Sequence, residues 1–212
     1  MRVFVVSGSA RNFDVDLVTN MHRLRRRVFK DRLDWEVSVA GDLEIDTYDA
    51  LGPTYLIGVT DKNVVAGCAR LLPTLGPNML ANTFPALLGD HRPPRSSRIF
   101  ESSRFCVDTE RASEVSANGL RDATFSMLAA VLEWGLAEDQ EAVVTVTDVR
   151  FERILQRAGW PLERFAPPMR IGATLALAGR LQIRSSALDD VRRIGGLIAP
   201  VLVPVQRQDM VA

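Results

Sequence analysis

The chain has 212 residues, of which 47% are hydrophobic and 25% are charged, and its formal net charge is zero. This length and composition suit one globular domain with a sizeable core. The lack of excess basic charge argues against a protein that wraps nucleic acid. No stretch approaches the ~18 apolar residues of a membrane span. Residues 1–212 are therefore expected to form a single domain.

Two features predict the compartment. Cys68 and Cys106 both lie in strand-like runs, which is typical of buried thiols in a reducing compartment rather than of a disulfide framework. The first residues lack the long apolar core and the cleavage site of a secretory signal. We expect a cytoplasmic protein with neither a nucleic acid partner nor a membrane span.

The first half of the chain predicts one strand, one helix and a hairpin. Residues 2–7 alternate as a short strand, and residues 13–29 carry apolar side chains at helical spacing. Residues 31–53 are polar, acid-rich and without periodicity, and loops of this length are usually functional or disordered. The apolar runs 54–60 and 63–73 then predict an antiparallel hairpin.

The second half alternates strands with helices. Ser116 is a plausible N-cap for the clearest helix. The predicted elements are a strand at 97–108, helices at 116–137 and 149–159, strands at 142–148 and 170–179, and a short helix at 186–194. This order predicts a three-layer α/β/α sandwich around a mixed sheet. Strands 97–108 and 142–148 would then be parallel neighbours joined by a right-handed crossover.

Several chemical motifs are absent from the sequence. It contains no glycine-rich phosphate loop and no nucleophile elbow. His22 and His91 lack metal-ligand spacing, and His22 is expected to face solvent or to lie on the first helix. An EF-hand loop starting at Asp42 would need Gly and Glu where Thr47 and Pro53 stand. We therefore expect neither a metal nor a cofactor.

The strand at 97–108 is unusually polar at its centre, where Glu101, Ser102, Ser103 and Arg104 follow one another. A strand that only packs has no use for this polarity, so the run predicts the wall of a cleft. Other stretches share its mixture of charge and aromatic rings. Their outstanding residues are Arg25, Phe29, Trp35, Asp46, Asp49, Arg70 and Phe84.

This set resembles the acyl-homoserine-lactone synthases, the autoinducer synthases of bacterial quorum sensing. The matching pattern is R-x-x-x-F, a tryptophan, D-x-x-D, an arginine after the hairpin, N-T-F and E-S-S-R-F, and it runs from about residue 15 to 160. The resemblance implies a fold similar to the N-acetyltransferases. It also implies a reaction between S-adenosylmethionine, which is a substrate rather than a cofactor, and an acyl thioester, usually on acyl carrier protein. The products would be an acyl-homoserine lactone and methylthioadenosine.

The resemblance makes Glu101 the expected general base, acting through a water on the substrate amine. Arg70 and Arg104 would either hold the Glu101 carboxylate in place or meet the carboxylate of the substrate. An ion pair between Glu101 and one of these arginines, buried for packing reasons, is the alternative.

The same resemblance assigns a binding site for S-adenosylmethionine. Phe29 and Trp35 would form a wall for its adenosyl group and sulfonium, and Phe84 matches the family pattern as well. Asp46 and Asp49 would hold the ammonium or the ribose hydroxyls, and Arg25 the substrate carboxylate. The alternatives are two core aromatic residues and a solvated acidic loop.

For the acyl chain, an apolar tunnel is expected between the sheet and the long helix. Family analogy places Ser102, Ser103, Met127 and Thr145 along it, and the Thr145 hydroxyl would suit a 3-oxo group. Plain core filling is the alternative for Met127. The chain length and its oxidation state stay open.

Two features bear on the acyl donor. The loop at 108–119 has only Gly119, so it lacks the glycine cradle that holds coenzyme A in the related acetyltransferases, which favours carrier protein. Arg150, Arg153 and Arg157 share one helix face and could dock an acidic carrier protein. A solvated helix face near Glu152 is the alternative.

Two other functions are compatible with the predicted fold. An N-acyltransferase that uses coenzyme A and another amine would not need the segment containing Trp35, Asp46 and Asp49. A non-enzymatic protein that senses a small metabolite would tolerate the substitution Glu101→Gln.

Overall fold

The computed structural model describes residues 1–7, 14–108 and 119–203, with the backbone alone for 119–121. The strands in chain order are β1 (Arg2–Ser7), β2 (Val39–Ala40), β3 (Leu43–Glu44), β4 (Thr54–Val59), β5 (Val65–Pro73), β6 (Ile99–Val107), β7 (Ala142–Asp148), β8 (Glu163–Arg164), β9 (Met169–Ile171) and β10 (Thr174–Gln182). One sheet has the order β1-β4-β5-β6-β7-β10-β8, with β9 also paired to β10, and β2 and β3 form a separate hairpin.

Five α-helices accompany the strands within the described residues. They are α1 (Val15–Arg25), α2 (Met79–Asn82), α3 (Gly119–Ala137), α4 (Val149–Arg157) and α5 (Ser185–Gly195). A π-helical stretch, Arg26–Arg32, extends α1, and two 3₁₀ turns cover Thr47–Leu51 and Pro85–Leu88. The predicted irregular segment 31–53 therefore contains a small hairpin and a 3₁₀ turn. The predicted N-cap Ser116 lies outside the described residues.

Helices cover both faces of the sheet, which confirms the three-layer prediction. On the face that we call the front, Met21 and Leu24 of α1 pack against Ile57 of β4. On the back face, α3 packs against the sheet through buried side chains such as Leu128, and α5 packs beside α3 with Val191 in the same core. Each face is covered because the strands carry apolar residues in both directions, as expected of a sheet with helices on either side.

The strands β6 and β7 are parallel, as predicted, but only over half of their length. The pairing runs from Ile99 with Ala142 to Ser102 with Thr145 and then stops. At the same point β6 bulges against β5: Cys68 pairs with Cys106 and Arg70 with Ser103. One residue of β5 therefore faces two of β6, and a bulge of this kind re-aims the side chains beside it.

The bulge is centred on Arg104, which has a left-handed backbone with φ of 52°. Strict alternation would send Ser103 and Arg104 to opposite faces of the sheet. Instead the Ser103 hydroxyl and the Arg104 guanidinium both meet charged groups on the front face. Phe105 resumes the alternation and packs against the back-face core.

Three further expectations can be compared with the structure. His22 lies on the first helix, which was the second of its two expected positions, and it is buried there with its Nδ1 2.8 Å from the carbonyl oxygen of Glu44. Cys68 and Cys106 are both free and buried, as predicted. In the part of the chain described here, every helix is too short or too polar to cross a lipid bilayer.

Candidate active site

A closed ring of six charged side chains occupies the front face. Arginines and carboxylates alternate around it, and we call it the arginine–carboxylate ring. In order, its members are Arg25, Glu44, Arg104, Asp46, Arg70 and Asp49, and Asp49 closes the ring onto Arg25. The six contacts measure 2.5, 3.0, 2.7, 2.5, 2.9 and 2.8 Å in that order. Three positive and three negative charges make the ring neutral as a whole.

The ring gathers residues from five separate elements. Arg25 is the last residue of α1, Glu44 ends β3, Arg70 lies in β5 and Arg104 is at the bulge of β6. The two aspartates come from one capping box. Asp46 caps the 3₁₀ turn by accepting the Tyr48 N–H at 2.9 Å, and Asp49 accepts the Asp46 N–H at 2.8 Å. This local motif presents two carboxylates on the same side of the turn.

Burial and neighbouring charges set the ionisation of Asp49 and of its partner Tyr55. Burial raises the pKa of Asp49. The hydrogen bond and charge of Arg25 and the charge of Arg70 lower this pKa by more than burial raises it, so it falls below the ordinary range. Tyr55 donates its hydroxyl to Asp49 at 2.7 Å. Burial, and then the Asp49 charge, raise the pKa of Tyr55 above the ordinary range. Asp49 is therefore ionised and Tyr55 is neutral near pH 7.

Exposure differs around the ring. The side chains of Arg25, Glu44 and Arg70 are 0% exposed, whereas Arg104 and Asp46 are 11% and 12% exposed. Arg25 uses its guanidinium on Glu44 and Asp49. These two carboxylates enclose Arg25, and its contact with a substrate carboxylate stays a prediction. Arg104 and Asp46 form the most exposed edge of the ring, and Asp49 is 6% exposed.

Glu101 lies beside the ring but is not part of it. Its carboxylate is buried, with the residue 1% exposed, and accepts the backbone N–H of Leu80 at 2.5 Å and of Met79 at 3.0 Å. Burial raises the pKa of Glu101, although these two hydrogen bonds and the nearby arginines oppose the rise. The expected direct hold by Arg70 or Arg104 is wrong, because both arginines are paired with the ring carboxylates instead.

Met79 contacts Arg70, Arg104 and Glu101, and nothing in the sequence predicted this role. Its sulfur lies 3.1 Å from a guanidinium nitrogen of Arg70 and 3.4 Å from one of Arg104, while its N–H binds Glu101. Thioethers are weak hydrogen-bond acceptors, so this contact helps to orient the two guanidiniums and adds no charge to the site. The only sequence signal was Asn78, a good N-cap that starts the short helix α2.

An aromatic pair forms one side of the site. Phe29 and Trp35 stack with their ring centroids 5.3 Å apart, and the Arg104 guanidinium lies 5.6 Å from the Phe29 centroid. Phe29 is buried, whereas Trp35 is 37% exposed. Phe84 packs instead against the apolar cluster that contains Leu80. The contacts therefore connect Trp35 to Glu101 through Phe29, Arg104 and Met79.

A cavity of about 20 Å³ lies on the back face of the sheet, beside β6. Ser102 and Thr145 line it as expected, but Ser103 points to the front and accepts a hydrogen bond from Arg70 at 3.1 Å. Met127 does not line it. Its sulfur fills the space above Gly58 and Gly67 instead, which is core filling.

The hydroxyl of Thr145 already has a partner. It donates to the carbonyl oxygen of Ser102 at 2.8 Å. A hydroxyl has one proton to donate, so a hydrogen bond to a 3-oxo group would require this bond to break. Within the described residues, no cluster of His, Cys, Asp and Glu side chains is arranged to hold a metal ion.

The three arginines that are predicted to dock an acidic carrier protein lie on α4. Arg150, Arg153 and Arg157 are all exposed. Glu152, the acid that could have neutralised them, is instead bound to Arg164 of β8 at 2.5 Å. The three arginines therefore form a positive face with no acid of their own helix to offset it. The loop 109–118, whose lack of glycine favoured carrier protein, lies outside the described residues.

Comparison with known proteins gives one consistent answer. A model of the autoinducer synthase family matches residues 11–191. An acyl-homoserine-lactone synthase of Agrobacterium fabrum is 45% identical over 191 residues, which cover 90% of each chain. The solved structure of the acyl-homoserine-lactone synthase LasI is 36% identical, covers 97% of this chain and 99% of its own, and has a TM-score of 0.80.

The fold is shared more widely. BjaI, described as a coenzyme A-dependent acyl-homoserine lactone synthase with SAM and isopentyl-CoA, has a TM-score of 0.84 over 95% of this chain and 92% of its own. Its identity is 24%, so the likeness concerns the fold. A putative N-acetyltransferase from Lactobacillus plantarum also matches, with a TM-score of 0.55 over 87% of this chain and all of its own. The predicted N-acetyltransferase-like fold is thereby confirmed.

Removing one carboxylate of the ring should destabilise the protein. We expect Asp49→Asn to lower the free energy of unfolding by about 3–5 kcal/mol, because it leaves the buried Arg25 and Arg70 without a shared partner. Denaturant unfolding at neutral pH measures this. Asp42→Asn, which breaks the exposed pair with Arg23, is the matched control and should leave the unfolding midpoint unchanged.

The difference in stability between wild type and Asp49→Asn should depend on pH. Since the folded-state pKa of Asp49 lies below its ordinary value of 3.8, its stabilisation is complete well above pH 3.8 and is lost as the pH falls through and below that value. The deficit of Asp49→Asn should therefore shrink in acid. A deficit that stays constant from neutral pH to acid would contradict the ionic role.

Proposed function

Because the chain belongs to the autoinducer synthase family and is an acyl-homoserine-lactone synthase, we propose that its substrates are S-adenosylmethionine and an acyl thioester. The observation that carries this proposal is the position of β6. One strand presents Glu101 and Arg104 to a charged site on its front face and Ser102 to an apolar cavity on its back face. A reaction that joins a charged amine to an apolar acyl chain needs both.

The charged substrate fits the accessible edge of the ring. Its carboxylate would bind Arg104 and its ammonium Asp46, the two most exposed members of the ring. Its sulfonium and adenosyl group would lie against Trp35, where a cation over an aromatic face gains about 0.5–2 kcal/mol. Arg25, Asp49 and the rest of the ring then act as positioning residues. BjaI, a protein of the same fold, is described with SAM.

The first chemical step is acyl transfer. The substrate amine loses a proton and attacks the thioester carbonyl, the carbon–sulfur bond of the thioester breaks, and the donor thiolate leaves and is protonated. Glu101 is the proposed base, since its raised pKa favours holding a proton. Each of its oxygens accepts one backbone N–H, which leaves lone pairs for a water that relays the proton.

The second step closes the lactone. A carboxylate oxygen of the acylated substrate attacks its own γ-carbon, and the carbon–sulfur bond of the sulfonium breaks with its electron pair. Methylthioadenosine leaves as a neutral thioether. Arg104, bound to this carboxylate, would orient the attacking oxygen, and such positioning is the main contribution that a site can make to an intramolecular displacement.

The proposed donor is acyl carrier protein. The exposed positive face of α4 suits an acidic partner, and electrostatic attraction of this kind mainly raises the rate of encounter. Ser102 and Thr145 lie at the point where β6 and β7 part, and we propose that the thioester enters there. Since BjaI is described as coenzyme A-dependent, both donors belong in the test.

The proposal predicts two products. Purified protein, incubated with S-adenosylmethionine and acyl thioesters on carrier protein or on coenzyme A, should release methylthioadenosine and an acyl-homoserine lactone in equal amounts. Mass spectrometry identifies the lactone and its acyl chain. Folded protein that forms no lactone with any donor would overturn the proposed substrates.

Glu101→Gln should lower kcat/KM by a factor of about 10²–10⁴, the usual contribution of a positioned base. The wild-type rate should rise with pH through the pKa of Glu101, at a pH above its ordinary value of 4.5, and this rise should be absent from the variant. Glu133→Gln is the matched control, because Glu133 also accepts two backbone N–H groups, from Val201 and Leu202. A variant that retains the wild-type pH profile would exclude Glu101 as the base.

Charge reversal on α4 distinguishes the donors. Arg150→Glu, Arg153→Glu and Arg157→Glu, each made singly, should raise KM for acyl carrier protein several-fold, with a smaller effect at high salt. The KM for acyl-coenzyme A should change little. Arg2→Glu, on β1 at the opposite edge of the sheet, is the control. Equal effects on both donors would contradict docking of the carrier on this face.

A further inference from the structure

A larger cavity lies outside the proposed active site, against the short helix α2. Its volume is about 420 Å³, and small-molecule sites in proteins measure about 300–1,000 Å³. Its walls come from the turn that follows β5, from α2 and from the segment 92–95. The described residues that line it include neither Glu101 nor any member of the arginine–carboxylate ring. The proposed substrates therefore leave this cavity unassigned.

The cavity is lined by positive charge alone. Arg92 and Arg95 line it, whereas no Asp or Glu side chain of the described residues does. Both arginines are exposed. Within the described part of the chain, the one polar contact of either guanidinium joins Arg95 to the carbonyl oxygen of Leu75 at 2.8 Å. Two guanidiniums without a carboxylate partner in one cavity suit a ligand that carries two negative charges.

The sequence between the two arginines sets their spacing. Pro93 and Pro94 each fix φ near about −65°, and each holds the residue before it in an extended conformation. A chain of this kind has about three residues per turn and rises about 3.1 Å per residue. Arg92 and Arg95 therefore point to the same side, roughly 9 Å apart along the chain. This agrees with their shared place in the lining of the cavity.

The chain that carries these arginines is fastened to the turn after β5. The buried Thr74 hydroxyl accepts the Ser96 N–H at 3.1 Å and donates to the carbonyl oxygen of Ile99 at 2.7 Å. Arg95 reaches across to the Leu75 carbonyl. The backbone around the cavity is therefore in place before any ligand arrives.

The rest of the wall combines a polar donor with apolar surface. The Asn82 Oδ1 accepts the Asn78 N–H at 3.1 Å, and the amide NH2 of Asn82 faces no acceptor among the described residues. The apolar side chains are those of Pro77, Pro93 and Leu75, and Leu75 is 51% exposed. Guanidinium forks match the geometry of phosphate oxygens. The lining therefore suits a phosphate group on a small organic molecule.

The helix α2 connects this cavity to the proposed base. Met79 and Leu80 face inward, and their N–H groups hold the Glu101 carboxylate. Ala81 and Asn82 face the cavity instead. Because the helix has only four residues, its two faces move together. A ligand that draws the outer face toward the arginines displaces the donors of Glu101, and a displacement of about 1 Å can cost about 10²-fold in rate.

We propose that this cavity is a regulatory site for a small phosphate-bearing anion, and that its occupation slows acyl transfer at Glu101. Arg92 and Arg95 bind the phosphate group, and the apolar wall takes the organic group attached to it. The binding is independent of the proposed function, whereas the effect on acyl transfer rests on it.

Binding is tested by isothermal titration calorimetry at constant ionic strength, with inorganic phosphate and phenyl phosphate as probes. Both should bind wild type. Tighter binding of phenyl phosphate assigns the site to organic phosphate esters, and equal binding assigns it to free phosphate. Arg92→Gln and Arg95→Gln should each weaken binding about tenfold, because charge-assisted hydrogen bonds are lost. Arg98→Gln is the matched control and should bind like wild type, because Arg98 is paired with Asp139 and does not line the cavity.

The effect on catalysis is measured as kcat at saturating substrates, with and without saturating phenyl phosphate. The probe should lower the kcat of wild type about threefold or more, because α2 then misplaces Glu101. In the double variant Arg92→Gln, Arg95→Gln, the ratio of the two kcat values should stay near one. A probe that only competed with a substrate would raise KM and leave kcat unchanged.

The outcomes separate the two proposals. No binding of either probe to wild type, or equal binding to wild type and to both variants, would overturn the site. Binding that the variants lose but that leaves the kcat of wild type unchanged would overturn the regulatory role. A wild type that binds phenyl phosphate but makes no lactone from any thioester would overturn the proposed function, and the effect on acyl transfer with it, while the anion site stands.

Discussion

The alternating ring of arginines and carboxylates is the interaction on which the front face depends. Three guanidiniums taken from water into a protein interior are costly unless each is paired and hydrogen-bonded. Here each arginine meets two carboxylates and each carboxylate meets two arginines, so the ring has no unpaired end. The end of α1, the β2–β3 hairpin, the capping box and the strands β5 and β6 are all fixed relative to one another by this closure.

A ring of this kind adds little net stability, but it fixes the relative positions of its members. Buried ion pairs gain little over well-packed apolar residues, whereas a broken pair is expensive. The ring therefore excludes arrangements in which one member is displaced. That strictness suits the proposed role of the site, which is to place the amine and the carboxylate of the substrate.

The bulge at Arg104 explains the polarity of β6. Without it, strict alternation would direct Arg104 to the back face, among the residues of the apolar core. The left-handed backbone at this residue has a conformational cost, which its pairing with Glu44 and Asp46 offsets. One strand can then serve a charged site on one face and an apolar cavity on the other.

The two sides of the site are held by different means. On the front face, charge fixes the ring and backbone N–H groups fix Glu101. On the back face, the turn that ends α4 and one indole hydrogen bond hold Trp160, while Phe105 and Phe151 pack against each other. A polar side held by charge and an apolar side held by packing suit the proposed reaction between a charged amine and an apolar acyl group.

The sequence by itself determined the family, the alternation of strands and helices, and several of the residues that the fold brings together. Periodicity is a local property, and the family's motif pattern from Arg25 to Arg104 can be recognised from the sequence alone. Phe29 with Trp35, and Ser102 with Thr145, are found together as the pattern implied. The parallel pairing of β6 and β7 also followed from the order of elements.

Only the tertiary structure decided what each of these residues touches. Arg25 was expected at the substrate and proved to be enclosed, because the burial of a charge depends on partners that are 19 and 24 residues away. The sequence did not predict a role for Met79, because that role arises only when the fold brings its thioether to two guanidiniums. Ser103 and Arg104 share a face because of a single left-handed residue, and strand periodicity alone predicts the opposite. Long-range contacts and backbone exceptions of this kind leave no local pattern in a sequence.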